Sequence, residues 1–421
     1  MYRNLLLALV ALFLAACGGR AVVYSEPKNL QNVDFDADLT RAFIRESYGD
    51  YEGARDAFWA MFERYKAVKF LEQALYLTLS HNLPKADELD AIAQKYLAQS
   101  NTLKRLSALY ALSILDLKRA EILAKELLKS DDYAGNYELY ADIMLRKNKP
   151  KEAIKYYKFA YKQVPNEALA LKIVGVYALQ NDTKSIKALL EDFHKMNGCT
   201  LKTCGLLFRI YFEAGDYESF ENILLELYEL SGDKNFILTL IDNLNQRGKG
   251  EDALKIAMRY DMDDDVKIFL YQNLKRFDEA RALSLKLYQE SKKKEHLLRA
   301  ALFEFEAASV DKKPTLEEAR SVAAKFEEAI DAQSEAIFLN YYGYLLIDYE
   351  LDVKEGMKWV ELALQKEPQN LYYLDSLAWG YYKLGECEKA WEIFEQTLHD
   401  AEFSNSSESK EHLQAIERCL R

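Results

Sequence analysis

Ten side chains in this chain could supply a thiol or an imidazole: Cys17, Cys199, Cys204, Cys387 and Cys419, and His81, His194, His296, His399 and His412. Thiolates and neutral imidazoles serve as nucleophiles, general bases and metal ligands, so their spacing is the first test for chemistry. No His pair stands in the HExxH arrangement, and no GxSxG, P-loop or GxGxxG run occurs. His194, Cys199 and Cys204 do not form a CxxC knuckle, and the sequence offers no fourth ligand beside them. Asp261–Asp265 has the acid density of a calcium loop. Val266 stands where such a loop needs Gly, however, and Gln272 where it needs a bidentate Glu, so the segment reads as a solvated turn. The many Glu and Lys residues recur at helical spacing and read as solvated faces. No residue set is read as catalytic, no metal, cofactor or small-molecule substrate is expected, and the chain is not expected to be an enzyme.

With Cys17 set aside, four cysteines remain. Cys199 and Cys204 flank a loop and a helix start, and could close a small ring. Cys387 opens a late helix and Cys419 lies in the last one. A bridge between them would close about 30 residues and stabilise by roughly 3 kcal/mol on the chain-entropy account. The alternative is four reduced, partly buried thiols.

Cys17 belongs to a different pattern. Met1–Asn4 is short and positive, Leu5–Leu14 is an apolar run of signal-peptide length, and Leu14-Ala15-Ala16-Cys17-Gly18 follows. This resembles a bacterial lipobox. The resemblance implies removal of residues 1–16 and N-acyl and S-diacylglycerol groups on Cys17, enough acyl chain for stable anchoring. Gly18 after the Cys implies the outer membrane, with the body facing the periplasm. Residues 17–38, with Gly-Gly, Ser-Glu-Pro and Asn-rich turns, read as a flexible tether reaching roughly 25 Å.

The elements that carry everything else are helices. Tyr140-Ala141, Met144, Ala153, Tyr157, Ala160 and Pro165 form one unit. Tyr342-Gly343, Leu346, Val360, Ala363 and Pro368 repeat it, and Leu377-Ala378, Tyr381, Leu384-Gly385, Ala390 and Phe394 repeat it again. These residues resemble the tetratricopeptide repeat, a 34-residue helix–turn–helix in which small residues let two helices approach and aromatics fill beside them. The resemblance is specific at 134–167, 336–370 and 371–403 and looser elsewhere. In the middle of the chain the turn at Asn181-Asp182 comes early for the repeat, and Leu274, Phe277 and Ala280 give half a signature. Thr315 and Glu318 read as a capping box. No alternating strand pattern occurs. The expectation is all-α: a right-handed α-solenoid of about ten to eleven tetratricopeptide-like repeats over 39–403. A polar break at 404–409 then precedes a capping helix within 404–421, with Leu413, Ile416 and Leu420 on one face.

Composition agrees with this. Half of the 421 residues are hydrophobic, and there are only 16 Gly and 6 Pro. The net charge of −12 leaves no basic footprint for nucleic acid, and an anionic lipid surface would repel the body, so membrane contact is expected through the anchor alone.

In the family, certain positions of each first helix line the concave face where partners bind. Carried onto the two C-terminal repeats they are Ile337, Asn340, Tyr344, Ile347 and Asp348, then Tyr372, Asp375, Trp379, Tyr382 and Lys383. Asn340, Tyr344, Tyr372, Asp375, Trp379 and Tyr382 are the expected partner-binding groove, since aromatics with a polar handle suit a hot spot. The family's basic carboxylate clamp is not matched; these positions offer only Lys383. In the 134–167 repeat the same face is Gly135, Glu138, Asp142, Leu145 and Arg146. The alternative is that the groove aromatics pack against the following repeat and the cap. The functional expectation is an envelope scaffold that binds another envelope protein, of the kind serving outer-membrane protein, pilus or secretin, motor or cell-wall machinery. The second reading is direct glycan or peptidoglycan binding, with Trp379 and the tyrosines stacking on sugar rings.

Overall fold

The computed structural model describes residues 33–310 and 312–421; Cys17 and residues 1–32 lie outside that range. Among the described residues there are twenty-four α-helices, from α1 (Val33–Ser47) to α24 (Ser407–Cys419), and no strand. The fold is all-α, as expected. In chain order the first twenty-two helices alternate as first and second members of eleven helix–turn–helix units; α23 (Ala401–Ser404) and α24 follow. Among the described residues no helix is long and apolar enough to cross a membrane.

The turn inside each unit shows why the units repeat. One residue per turn takes a left-handed conformation: Gly49, Asn82, Leu115, Asn148, Asn181, Gly215 and Gly248, all 33 or 34 residues apart. The amide of the next residue then reaches back five residues, as from Asp116 to the Ala111 carbonyl at 2.8 Å and from Asp182 to the Tyr177 carbonyl at 3.1 Å. That bond satisfies a carbonyl the first helix leaves open. The same residue starts the second helix: the Asp116 carboxylate accepts from the Arg119 amide at 3.1 Å, and Asp182 from Ser185 at 3.0 Å. Asn181 therefore stands in register, 33 residues after Asn148, and the expectation of an early turn there is corrected. A left-handed turn accepts Gly, Asn or even Leu, so side-chain identity hid a backbone period that is regular through Gly248.

The chain divides into two compact units, one ending at Ile210 and the other running Tyr211–Arg421. In the first, the signature residues of the 134–167 repeat are interior, apart from the exposed Pro165. Tyr140, Ala141 and Met144 of α7 (Ala134–Arg146) meet Ala153, Tyr157 and Ala160 of α8 (Pro150–Gln163) in one cluster. Pro150 starts α8 where a missing N–H costs nothing, and α8 stops two residues before Pro165. A second cluster gathers Ala42, Phe58, Phe62, Leu71, Leu75 and Leu103. Residues 33–38, expected to belong to the tether, are instead helical, because α1 begins at Val33. Phe35 packs on Tyr65 at 5.2 Å and Phe70 at 5.9 Å, and Asp38 bonds Arg64 at 3.2 Å, so this turn has both an apolar and a charged anchor.

In the second unit the helices shorten where the pattern weakens: α14 (Gly250–Arg259) and α15 (Asp264–Asn273) have ten residues each. The acids of Asp261–Asp265 sit at the start of α15, with Lys267 2.9 Å from Asp264 and Arg299 bonded to Asp265. Thr315 and Glu318 form the expected capping box. The clearest repeats follow as α19 (Ala336–Asp348), α20 (Val353–Lys366), α21 (Leu371–Lys383) and the eight-residue α22 (Cys387–Phe394). A Cβ at Gly343 would lie 2.6 Å from the Gly356 carbonyl oxygen, and one at Gly356 would lie 2.6 Å from that of Gly343. Only paired glycines allow α19 and α20 that approach. The capping helix begins at Ser407, earlier than the expected Lys410, because Ser406 caps it by accepting from the Ser409 amide at 3.2 Å. Ile416 is fully buried and Leu413 packs beside it, whereas Leu420, expected on the same face, is exposed.

Leu115 holds a φ of 61° with its side chain in solvent, so it carries left-handed strain without compensating contacts. Leu115→Asn is expected to raise the unfolding free energy of the first unit by about 0.5–1 kcal/mol. Urea denaturation checks this, and an unchanged midpoint would show that the turn stores no such strain.

Candidate functional site

The expected groove lies in the second unit, where α19 and α21 are neighbouring first helices held by α20 and α22. Spacing of three and four residues puts Asn340, Tyr344 and Asp348 on one face of α19, and Asp375, Trp379 and Tyr382 on one face of α21. The structure brings Tyr344, Asp375, Trp379 and Tyr382 together, directly or through His412. Tyr372 is 66% exposed at the edge, its ring edge-on to Phe403 at 5.1 Å.

Trp379 is the centre. Its Nε1 donates to Asp348 Oδ1 at 3.1 Å, and Lys313 Nζ holds the other oxygen of that carboxylate at 2.7 Å. The indole stacks on Tyr382 with centroids 4.6 Å apart, and Lys383 Nζ lies 5.2 Å from its centre. Lys383, the one cation expected on this face, is also paired with Glu350 at 2.8 Å.

The groove is not open: α24 lies over it. His412 stacks on Trp379 with ring centres 3.9 Å apart, and its Nδ1 lies 3.0 Å from both oxygens of Asp375. A carboxylate only accepts, so Nδ1 carries the proton in this pair. Both residues are buried. The Tyr344 hydroxyl donates to Glu408 at the start of α24. Burial, reinforced by Glu408, pushes the Tyr344 phenol above its ordinary range and keeps it a neutral donor. Farther along α24, Ile416 packs into Ala378, Ala390 and Phe394. The aromatics expected to meet a partner thus meet the cap, which is the alternative stated for them above. Asn340 is buried, and its side-chain carbonyl oxygen accepts no hydrogen bond.

His412 and Glu408 were not among the expected site residues. Their signal was present, since Glu408, His412 and Ile416 recur every four residues along one side of a helix. Two polar residues in that series read as solvent-facing, which concealed it.

Both expected bridges are present, Cys199 to Cys204 and Cys387 to Cys419, with Cα atoms 5.5 and 5.6 Å apart. The second ties the end of α24 to the start of α22. In the first unit the corresponding face is closed by its own charges: Lys172 Nζ is 2.8 Å from Glu138 and 2.9 Å from Asp142, which also accepts from Tyr157.

No family model matches the chain. No curated protein sequence matches it. Among solved structures it is similar to Naa15/Naa10 bound to HypK-THB, with a TM-score of 0.38 and 15% identity over 83% of this chain and 67% of that one. It is also similar to Pseudomonas aeruginosa pilF, with a TM-score of 0.39 and 15% identity over 48% of this chain and 93% of that one. The tetratricopeptide domain of P58(IPK) gives a TM-score of 0.28 and 15% identity over 78% and 98% of the two chains.

His412→Ala removes the partner of a buried carboxylate and the ring stacked on Trp379. It is expected to cost about 1–3 kcal/mol of stability, measured by urea unfolding followed through tryptophan emission. A neutral result would mean that Asp375 is solvated in the folded chain.

Proposed function

We propose that this chain is a membrane-anchored scaffold that binds another envelope protein through the first-helix face of its last two repeats. One observation carries the reading: buried aromatic and acidic side chains of α19 and α21 form a preorganised seat for a helix, and α24 sits in it through hydrogen bonds, stacking and apolar packing. A surface that holds one amphipathic helix in this way has the chemistry to hold another. The anchor is the lipid on Cys17, the body faces the periplasm from the outer membrane, and neither nucleic acid nor a small-molecule substrate takes part. Direct glycan binding has less support, since Trp379, the residue that would stack on a sugar ring, lies beneath His412.

Two measurements test this. Cys17→Ser should move the protein from the membrane fraction to the soluble fraction; if it stays with the membrane, the anchor assignment fails. A photo-crosslinking residue at Tyr372, exposed on the groove edge, should capture one envelope protein in cells. The same probe at exposed Met258, on the second helix of its pair, should not. Capture only from Met258 would place the partner elsewhere on the chain. Retention on purified sacculi with no protein captured from either position would favour glycan binding.

A further inference from the structure

We propose that α24 is a displaceable occupant of the groove, that the Cys387–Cys419 bridge locks it in place, and that the partner admitted on unlocking is an amphipathic helix with the same anchor pattern as α24. This deepens the scaffold reading and rests on it.

The geometry of α24 is that of a bound peptide more than of a core helix. One side makes its anchoring contacts: Glu408 at the rim, His412 on Asp375 and Trp379, and Ile416, with Leu413 beside it, against Ala378 and Phe394. The opposite side, with Lys410, Glu411, Gln414, Glu417 and Arg418, is exposed. A carboxylate, an imidazole and a branched aliphatic at positions i, i+4 and i+8 is therefore the pattern that the groove reads. Tyr344 is a neutral donor for the carboxylate, Asp375 an acceptor for the ring nitrogen, and Trp379 the platform beneath the ring.

The helix is tethered at both ends. At its start the chain leaves α22 through α23, with Phe403 buried beside Tyr372. At its finish Cys419 is bonded to Cys387. While both tethers hold, the anchors cannot leave the groove together. Both cysteines are half-buried, so a reductant can reach them. A dithiol opens the bridge in two exchanges. Its first thiolate attacks one sulfur and expels the other as thiolate. Its second thiolate then attacks the mixed disulfide and releases the remaining cysteine. The dithiol ends as a disulfide, and Cys387 and Cys419 take up two protons as thiols. With one tether gone, α24 exchanges with a helix offered in trans.

The test uses the full chain and a fluorescent peptide of its own residues 405–420 carrying Cys419→Ser. Binding by fluorescence polarisation is compared between oxidised wild type and a Cys387→Ser/Cys419→Ser variant, which leaves the other bridge intact. The variant is expected to bind the peptide at least tenfold more tightly, and a peptide carrying His412→Ala and Ile416→Asp should not compete. Amide exchange across 407–419 should rise at least tenfold in the variant while that of α19 and α21 is unchanged, which also shows that the groove remains folded. If α19 and α21 loosen too, Cys387→Ala alone replaces the double variant. Equal peptide affinity in the two proteins, no binding to the variant, or unchanged exchange across 407–419 overturns the latch. Capture of an envelope protein from position 372 would survive that result, so the failure of the latch is distinct from the failure of the scaffold.

Discussion

A pair of helices joined by a short turn has more apolar surface than the pair alone can cover. Each pair buries the faces its helices turn to one another and leaves the outer faces to be covered by the next pair. Tyr140, Met144, Tyr157 and Ala160 satisfy the inner requirement in the first unit of the chain. Gly343, Gly356 and Val360 satisfy it in the second, where two backbones approach closely enough to exclude any side chain between them. After the α21–α22 pair come α23 and α24. Ala378, Ala390 and Phe394 would face water, and it is α24 that covers them with Ile416 and Leu413. The same helix thereby comes to lie across Trp379 and Asp375, so covering the end of the stack and filling the groove are one event.

Regularity in this fold resides in the backbone more than in the side chains. The left-handed residue of the turn and the amide that reaches back five positions recur every 33 or 34 residues from Gly49 to Gly248. The residue at that position can be Gly, Asn or Leu, each at a different conformational cost. Helix interiors likewise accept any apolar residue of suitable volume. A repeat held by these two tolerances can lose its side-chain signature and keep its geometry. That accounts for a middle region that looks irregular as a string of letters, yet whose turns stay in step as far as Gly248.

The groove was partly legible before the structure. Asn340, Tyr344, Asp375, Trp379 and Tyr382 share faces of their helices, and helical spacing alone puts them there. Tyr372 shares the spacing but is exposed, its ring edge-on to Phe403, while Tyr373 beside it is buried. His412 was not legible. A histidine in a helix of mean polar character reads as solvent-facing, and its burial depends on Asp375, 37 residues earlier in the chain. The Asp348 carboxylate that receives the Trp379 N–H is 31 residues away, and no local pattern links the two.

By itself, then, the sequence determined the helical class, the pairing of helices, the capping box at Thr315 and the faces of α19 and α21. Each of these follows from spacing within about one repeat, where helical periodicity fixes which side chains are neighbours. Only the tertiary structure decided that α1 starts at Val33, that Asn181 stays in register, and that the last helix folds back across the groove instead of leaving it open. The first rests on Phe35 and Asp38 meeting Tyr65, Phe70 and Arg64 about thirty residues on, and the second on a backbone dihedral to which residue type is nearly indifferent. The third rests on complementarity between surfaces more than thirty residues apart: a carboxylate for a ring N–H, an indole for an imidazole face and an apolar end for Ile416. Such matches exist only once both surfaces are formed, so no reading of either segment alone contains them.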